Sequence, residues 1–133
     1  MNNFIKINEQ SISSFNFKEK NILDKLIKEA KKSDMYYKHS ACILDGNELI
    51  SIGHNYMPNT NFNNIYSIHA EISALMRVPK NIKNRKNKEK LKIIIIRLSR
   101  TDDTELLMSK PCEKCSNAIK KHNIQIVYYS NNI

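Results

Sequence analysis

Glycine and proline are nearly absent from this 133-residue chain, at 2 and 3 residues, which excludes collagen-like and Pro-rich linker classes. Tryptophan is missing altogether. No apolar run approaches the ~20 residues that cross a bilayer; the longest aliphatic run is Ile93-Ile94-Ile95-Ile96. The first residues, Met1-Asn2-Asn3-Phe4-Ile5-Lys6, contain no apolar h-region, so neither a signal peptide nor a membrane partner is expected, and the expected location is cytoplasmic. Three cysteines, an odd number without an export signal, argue against a disulfide framework and for a metal or a reactive thiol. The length suits one domain, residues 1–133, with a single modest core.

What is abundant is positive charge. Lys+Arg is 22 against 13 Asp+Glu, a formal net charge of +9. The Lys, Asn and Ile bias is that of AT-rich coding, which discounts part of the basicity. The local concentration survives that discount. Residues 77–92 hold eight basic side chains (Arg77, Lys80, Lys83, Arg85, Lys86, Lys88, Lys90 and Lys92) against Glu89, a net of +7. Such a run attracts RNA or phosphorylated small molecules, or is simply a solvated loop. No aromatic residue is interleaved there to stack on bases.

Hydrophobic spacing predicts helix over 17–32, through Ile22, Leu23, Leu26, Ile27 and Ala30, with Asn16 as N-cap and Glu19 completing a capping box. Residues 39–53 read as a hairpin about Asp45-Gly46-Asn47, followed by an Asn-rich loop over 54–66. A second helix is expected from near Ser67 to before Pro79, with Ile68, Ile72, Leu75 and Met76 inward. Leu91–Leu98 is continuous in its apolarity, as a buried central strand is. A polar loop follows over 99–110. Pro111 is expected in the first turn of a third helix that ends near His122, and Ile124–Tyr129 reads as the last strand. The closing β-α-β unit requires parallel pairing, so a mixed sheet in a three-layer α/β/α domain is expected.

Two groups of residues carry chemistry. Cys112 and Cys115 are three apart at the start of a predicted helix, on one side of it, where the positive end of the dipole favours thiolate. A lone C-x-x-C fits half of a four-cysteine zinc site or a redox pair as well as a catalytic metal centre. Only Cys42, in a predicted strand, remains for a fourth sulfur. His69 opens the second helix and can be a third ligand, leaving one tetrahedral position for water, as catalytic zinc sites do. Glu71, two residues on, can act as a proton shuttle. Cys42 reads as a small buried hydrophobe, and His39 and His54 as ordinary polar residues. Tyr128 and Tyr129 read as packing or interface residues, and Asp102 to Glu105 as a solvated loop.

His69-Ala70-Glu71 with Pro111-Cys112-Glu113-Lys114-Cys115, together with Gly53-His54-Asn55, resembles the cytidine/deoxycytidylate deaminase-like superfamily, which includes the tRNA adenosine deaminases. The order of elements from about 17 to 129 is similar as well. The resemblance implies Zn²⁺ on His69, Cys112 and Cys115. It implies that Glu71 moves a proton from water to the ring nitrogen and then to the leaving amine. Asn55 would hydrogen-bond base or sugar, and the Ala70 N–H the base carbonyl. Two thiolates offset the charge of the ion, so its water is less acidic than at a three-histidine site and a carboxylate base is needed.

The implied function is deamination of cytosine to uracil in a free nucleoside or nucleotide (cytidine, CMP or dCMP). The alternatives are a tRNA-type adenosine-to-inosine deaminase, with residues 77–92 gripping RNA, and a non-catalytic zinc module. His69 to Leu75 resembles the tRNA branch, whereas the C-terminal helix that branch uses is missing. The family's further strand after 124–129 is also missing, which leaves an edge to be covered by Phe4-Ile5-Lys6-Ile7 or by a partner subunit. A homodimer or larger homo-oligomer is the resulting expectation.

Overall fold

A computed structural model describes residues 8–11, 21–58, 67–85, 90–102 and 105–131. The elements run β1 (Asn8–Ser11), α1 (Asn21–Lys31), β2 (Lys38–Asp45), β3 (Glu48–His54), α2 (Ala70–Met76), α3 (Lys80–Lys83), β4 (Leu91–Leu98), β5 (Leu106–Leu107), α4 (Glu113–Lys121) and β6 (Ile126–Tyr129). They build one mixed sheet in the order β1-β6-β4-β2-β3, with β5 pairing the end of β4. β2 is antiparallel to both β3 and β4, and β4 is parallel to β6. β6 pairs with Lys92 to Ile95, and β5 takes over at Arg97 and Leu98.

The isoleucine run explains the layers. Side chains alternate across a strand, so Ile93 and Ile95 face one core and Ile94 and Ile96 the other, all with no exposure. Ile93 and Ile95 pack with Ala41, Ile43, Ala74, Leu75 and Ile119, beneath α2 and α4. Ile94 and Ile96 pack with Ile22, Leu26, Ala30, Cys42 and Leu44, beneath α1. Each such side chain taken from water contributes about 1.5–3 kcal/mol. The three-layer mixed architecture is thus as expected. Gly46 turns the hairpin at φ +62°, and Asn123, at φ +59°, ends α4 just past His122.

Several local expectations are corrected. The helix expected from Ser67 starts at Ala70, because the backbone of Ile68 is tied in a bridge to Tyr56, with N···O distances of 2.8 and 3.0 Å. The inward face therefore comprises Ala70, Glu71, Ala74 and Leu75; Met76 is 60% exposed and Ile72 only partly buried. Pro111 precedes the N-cap of α4, which is Cys112. The segments expected to be loops contain the four-residue α3 and the two-residue β5, both too short to show a period. The last strand begins at Ile126. Residues 12–20, with Asn16, Glu19 and the expected first turn of helix, lie outside the described residues, as do Phe4 to Ile7. The β6 edge is covered by Asn8–Ser11, paired in parallel with Ile126–Tyr129, so a bare edge at β6 is no argument for association there.

Two contacts lock the edge strand β3. A Cβ on Gly53 would meet Ser73 Oγ and lie 2.8 Å from the Ala74 backbone nitrogen. Only hydrogen permits α2 to pack this closely on β3. On the other side, buried Glu29 of α1 bonds His54 Nδ1 at 2.7 Å and Lys32 Nζ at 3.0 Å, with Arg77 Nη1 at 3.7 Å. Arg77 also donates to the Ile52 carbonyl at 2.9 Å, so the edge of β3 is wrapped rather than bare. Burial raises the Glu29 carboxyl, but the hydrogen bonds and charges of His54 and Lys32 outweigh it, leaving the group below its ordinary value near 4.5.

Gly53→Ala should cost about 1–3 kcal/mol by overpacking and shift the start of α2, measured by denaturant unfolding and zinc affinity; an unchanged midpoint would refute the close-approach argument. Glu29→Gln should cost about 1–3 kcal/mol at neutral pH. Because the folded pKa of Glu29 is the lower one, its stabilisation is complete above about pH 4.5 and is lost as pH falls through the folded value. The two proteins' unfolding midpoints should therefore converge in acid, and a constant gap would contradict this.

Candidate active site

The start of α2 and the start of α4 meet beyond the carboxyl end of β4. His69 is the N-cap of α2, Cys112 is the N-cap of α4, and Cys115 lies one turn further. Their ligand atoms all lie within 4.8 Å of one another. His69 Nδ1 is 3.2 Å from Cys115 Sγ and 3.8 Å from Cys112 Sγ. Tetrahedral bonds of ~2.0–2.3 Å to nitrogen and sulfur imply separations of roughly 3.6 Å between ligand atoms, so the three residues fit zinc. Cys115 has no exposure, while His69 and Cys112 are exposed at the pocket.

Glu71 is the second residue of α2, in its first turn, and only 6% exposed. Burial raises its pKa, against the smaller opposing effects of its own backbone N–H, the His69 charge and a hydrogen bond with Cys115. A carboxylate raised in this way is better suited than a solvated one to taking and returning a proton. Burial, and next the Glu71 charge, also raise the Cys115 thiol. At Cys115, desolvation and the neighbouring carboxylate thus oppose the thiolate that a helix start favours. A cation among the ligand atoms is what would hold Cys115 ionised.

A pocket of about 310 Å³ opens over these groups, lined among others by Tyr36, Tyr37, His39, Asn55, His69 and Glu71. Asn55 shapes one wall. Its Oδ1 accepts from the His39 N–H at 3.0 Å and its Nδ2 donates to the Tyr37 carbonyl at 2.6 Å. The carboxamide thus holds the 37–39 backbone, with hydrogen-bonding capacity left over. Ala70 is buried at the first helical position, where amides lack an intrahelical partner. His39 is pushed down to about 4 by burial, assisted by the charges of Arg97 and His69 and opposed by a bond to the Tyr37 backbone, so it is a neutral group in the wall.

Sequence reasoning read His39 as an ordinary polar residue and passed over Tyr37 and the serines behind the cysteine loop. Ser109 donates to the Ile95 carbonyl at 2.8 Å and accepts from the Ser130 N–H at 2.9 Å. The Ser109 N–H donates to the Ser130 carbonyl at 2.9 Å. A serine before P-C was the available signal, but serine is too common to stand out.

The described residues of the basic run do not line this site. Arg85 bonds Asp45 at 2.8 Å and the Lys90 carbonyl accepts from Gly46, both at the Leu91 end of β4. The pocket lies by the Leu98 end, roughly 23 Å away at ~3.3 Å per strand residue. The described part of residues 77–92 is therefore no part of the pocket lining. Cys42 is buried as expected, its thiol pushed up to about 12 by desolvation. His54 is held by Glu29, and Tyr128 and Tyr129 pack on the two cores. Among the described residues no helix is long and apolar enough to cross a membrane.

Residues 17–131 match the cytidine and deoxycytidylate deaminase zinc-binding region, and the chain belongs to that family. The fold is similar to the dCMP deaminase of cyanophage S-TIM5 in apo form, with TM-score 0.51 and 22% identity over 85% of each chain. It is also similar to that enzyme in complex with dCMP and dUMP, with TM-score 0.51 and 21% identity over 85% of this chain and 83% of the other. A search of curated proteins found no match. Family and ligand set together define a zinc-dependent hydrolytic deaminase of the cytidine type.

Purified protein should carry about one zinc per chain by elemental analysis, and less after His69→Ala or Cys115→Ser. Chelation should expose Cys112 to a thiol reagent first, while Cys42 reacts only on unfolding. Equal rates for the two, or no metal bound, would refute the centre as described.

Proposed function

We propose that this protein converts cytosine to uracil in a free nucleoside or nucleotide of the cytidine, CMP or dCMP type, releasing ammonia. The observation that carries the reading is a buried, proton-competent Glu71 beside three convergent ligands under a pocket of nucleoside size. His69, Cys112 and Cys115 would hold zinc, which when bound supplies a Lewis acid that activates water. Glu71 takes the proton from the attacking water and gives it to the ring nitrogen. The water oxygen bonds to the ring carbon bearing the amine; Glu71 then carries the proton of that hydroxyl to the exocyclic amine, and the C–N bond breaks to release ammonia as the carbonyl forms. The Ala70 N–H donates to the base carbonyl, and the remaining capacity of Asn55 reaches the sugar. Neutral His39 and the Tyr36–Tyr37 pair, with ring centroids 4.7 Å apart, narrow the mouth and keep water from competing with the base. The location of the basic run away from the pocket leaves the RNA alternative without support at this site. The nucleotides bound by the cyanophage enzyme supply the natural panel for testing.

Glu71→Gln should keep zinc and fold and lose roughly 100- to 10,000-fold in ammonia release, the usual scale for removing a general acid–base. Retained activity would rule out the proton-shuttle role. Assays with cytidine, CMP, deoxycytidine, dCMP, adenosine and a tRNA should show turnover of cytosine compounds, and turnover of the RNA alone would overturn the reading.

A further inference from the structure

The chain leaves β3 through three residues that each grip a different part of the molecule. His54 turns to the α1 layer, where its Nδ1 donates to Glu29 Oε2 at 2.7 Å. Asn55 turns to the pocket and bonds the Tyr37 carbonyl and the His39 N–H. Tyr56 exchanges two backbone hydrogen bonds with Ile68, the residue before the ligand His69. We propose that the Glu29–His54 contact is a positioning device for the reaction: it fixes Asn55 against the substrate, so that its loss weakens substrate binding and leaves the bond-breaking groups as they are. The inference rests on the reading above, which assigns the remaining capacity of Asn55 to the sugar.

The backbone ladder does not hold Asn55 by itself. Ser40 and His54 are the last pair of β2 and β3. One residue on, the Asn55 N–H reaches the His39 carbonyl only at 3.4 Å, long beside the ~2.9–3.0 Å of an ordinary amide bond. Past the ladder, side chains take over. Oδ1 and Nδ2 tie Asn55 to β2 at 3.0 and 2.6 Å, and His54 ties the preceding residue to α1. Consecutive residues of a strand point to opposite faces, so the two sets of bonds clamp the strand end between them. The anchor is stiff because Glu29 is itself held. Its side chain is 5% exposed, and Lys32 Nζ stands 3.0 Å from Oε1, which leaves Oε2 to His54. Arg77, the C-cap of α2, lies 3.7 Å from the same oxygen and donates to the Ile52 carbonyl, two residues before His54. Hydrogen bonds to a carboxylate are stronger than neutral ones. After its two backbone bonds the Asn55 carboxamide has one N–H and one acceptor pair left. A small displacement of the strand end re-aims both, and bound geometry is sensitive to shifts of an ångström or less. Glu71 and the three ligands are borne by the starts of α2 and α4, not by this strand.

The test uses the zinc-loaded full chain with His54→Ala, which removes the contact, and His54→Asn, whose amide nitrogen stands where Nδ1 does and still donates to Glu29. In His54→Ala the KM for deoxycytidine should rise roughly three- to tenfold, the scale of one hydrogen bond, with kcat and zinc content little changed. His54→Asn should recover most of the loss. Lys28→Ala, exposed on α1 outside the contact, should change nothing. Without any substrate, the side-chain amide signal of Asn55 in NMR spectra should move and exchange faster with water in His54→Ala. A merely structural role gives another pattern: fewer active molecules, hence a lower kcat at unchanged KM, with no rescue by His54→Asn. That pattern, or an Asn55 signal indifferent to His54, would overturn the proposal. Should His54→Ala not fold, Glu29→Gln, which keeps the shape and removes the charge, should raise KM by a smaller factor, and an unchanged KM there would overturn it equally. Should no cytosine compound be deaminated while dUMP binding, measured by calorimetry, weakens in His54→Ala and recovers in His54→Asn, the positioning role stands and the reaction is misassigned.

Discussion

A sulfur sealed from water against a carboxylate is an unstable arrangement for two anions, and the Cys115–Glu71 contact is built that way. Both groups are raised by burial, and the Glu71 charge makes ionisation of Cys115 harder still, while a hydrogen bond with Cys115 partly offsets the rise at Glu71. A divalent cation between the sulfurs and the imidazole reverses that balance. The local structure therefore favours a metal: without one, burial and the Glu71 charge hold Cys115 as a thiol, and a cation there would hold it ionised. The helices that start at His69 and Cys112 bring the parts together, and their distances suit the short bonds of zinc.

The ligands and Glu71 were legible in the sequence because their spacing is dictated by chemistry. So was Leu91–Leu98, whose continuous apolarity has only one economical explanation, burial on both faces. The expected inward face of α2 was misjudged because the period was counted from Ser67, whereas Ile68 is committed to Tyr56 and the helix starts later. Glu29 was illegible: an acid among lysines on a helix looks solvated, and only the fold brings His54 to it. Gly53 drew attention as part of a motif with Asn55, yet its role is steric.

Charge offers the clearest contrast between composition and position. The run over 77–92 dominates the sequence, but Arg85 and Lys90 sit about Asp45 and Gly46 at the far end of the sheet, and Arg77 is held by Glu29 and the Ile52 carbonyl. Lys31, Lys38 and Arg100 are scattered along the chain and attract no notice as a pattern. Folding gathers them beside the catalytic pocket. Linear density of charge is thus a poor guide to the field at the pocket, since a field depends on distance in space.

The serine lattice has a further consequence. Ser130, just past β6, bonds the loop carrying Ser109 through backbone and side chain, and the Ser130 hydroxyl also donates to the Leu107 carbonyl at 2.7 Å. The outermost turn of the sheet and the approach to Cys112 are therefore one mechanical unit. Disturbance at the polypeptide's closing strand would be felt as a mis-set coordination angle, with every coordinating side chain still in place.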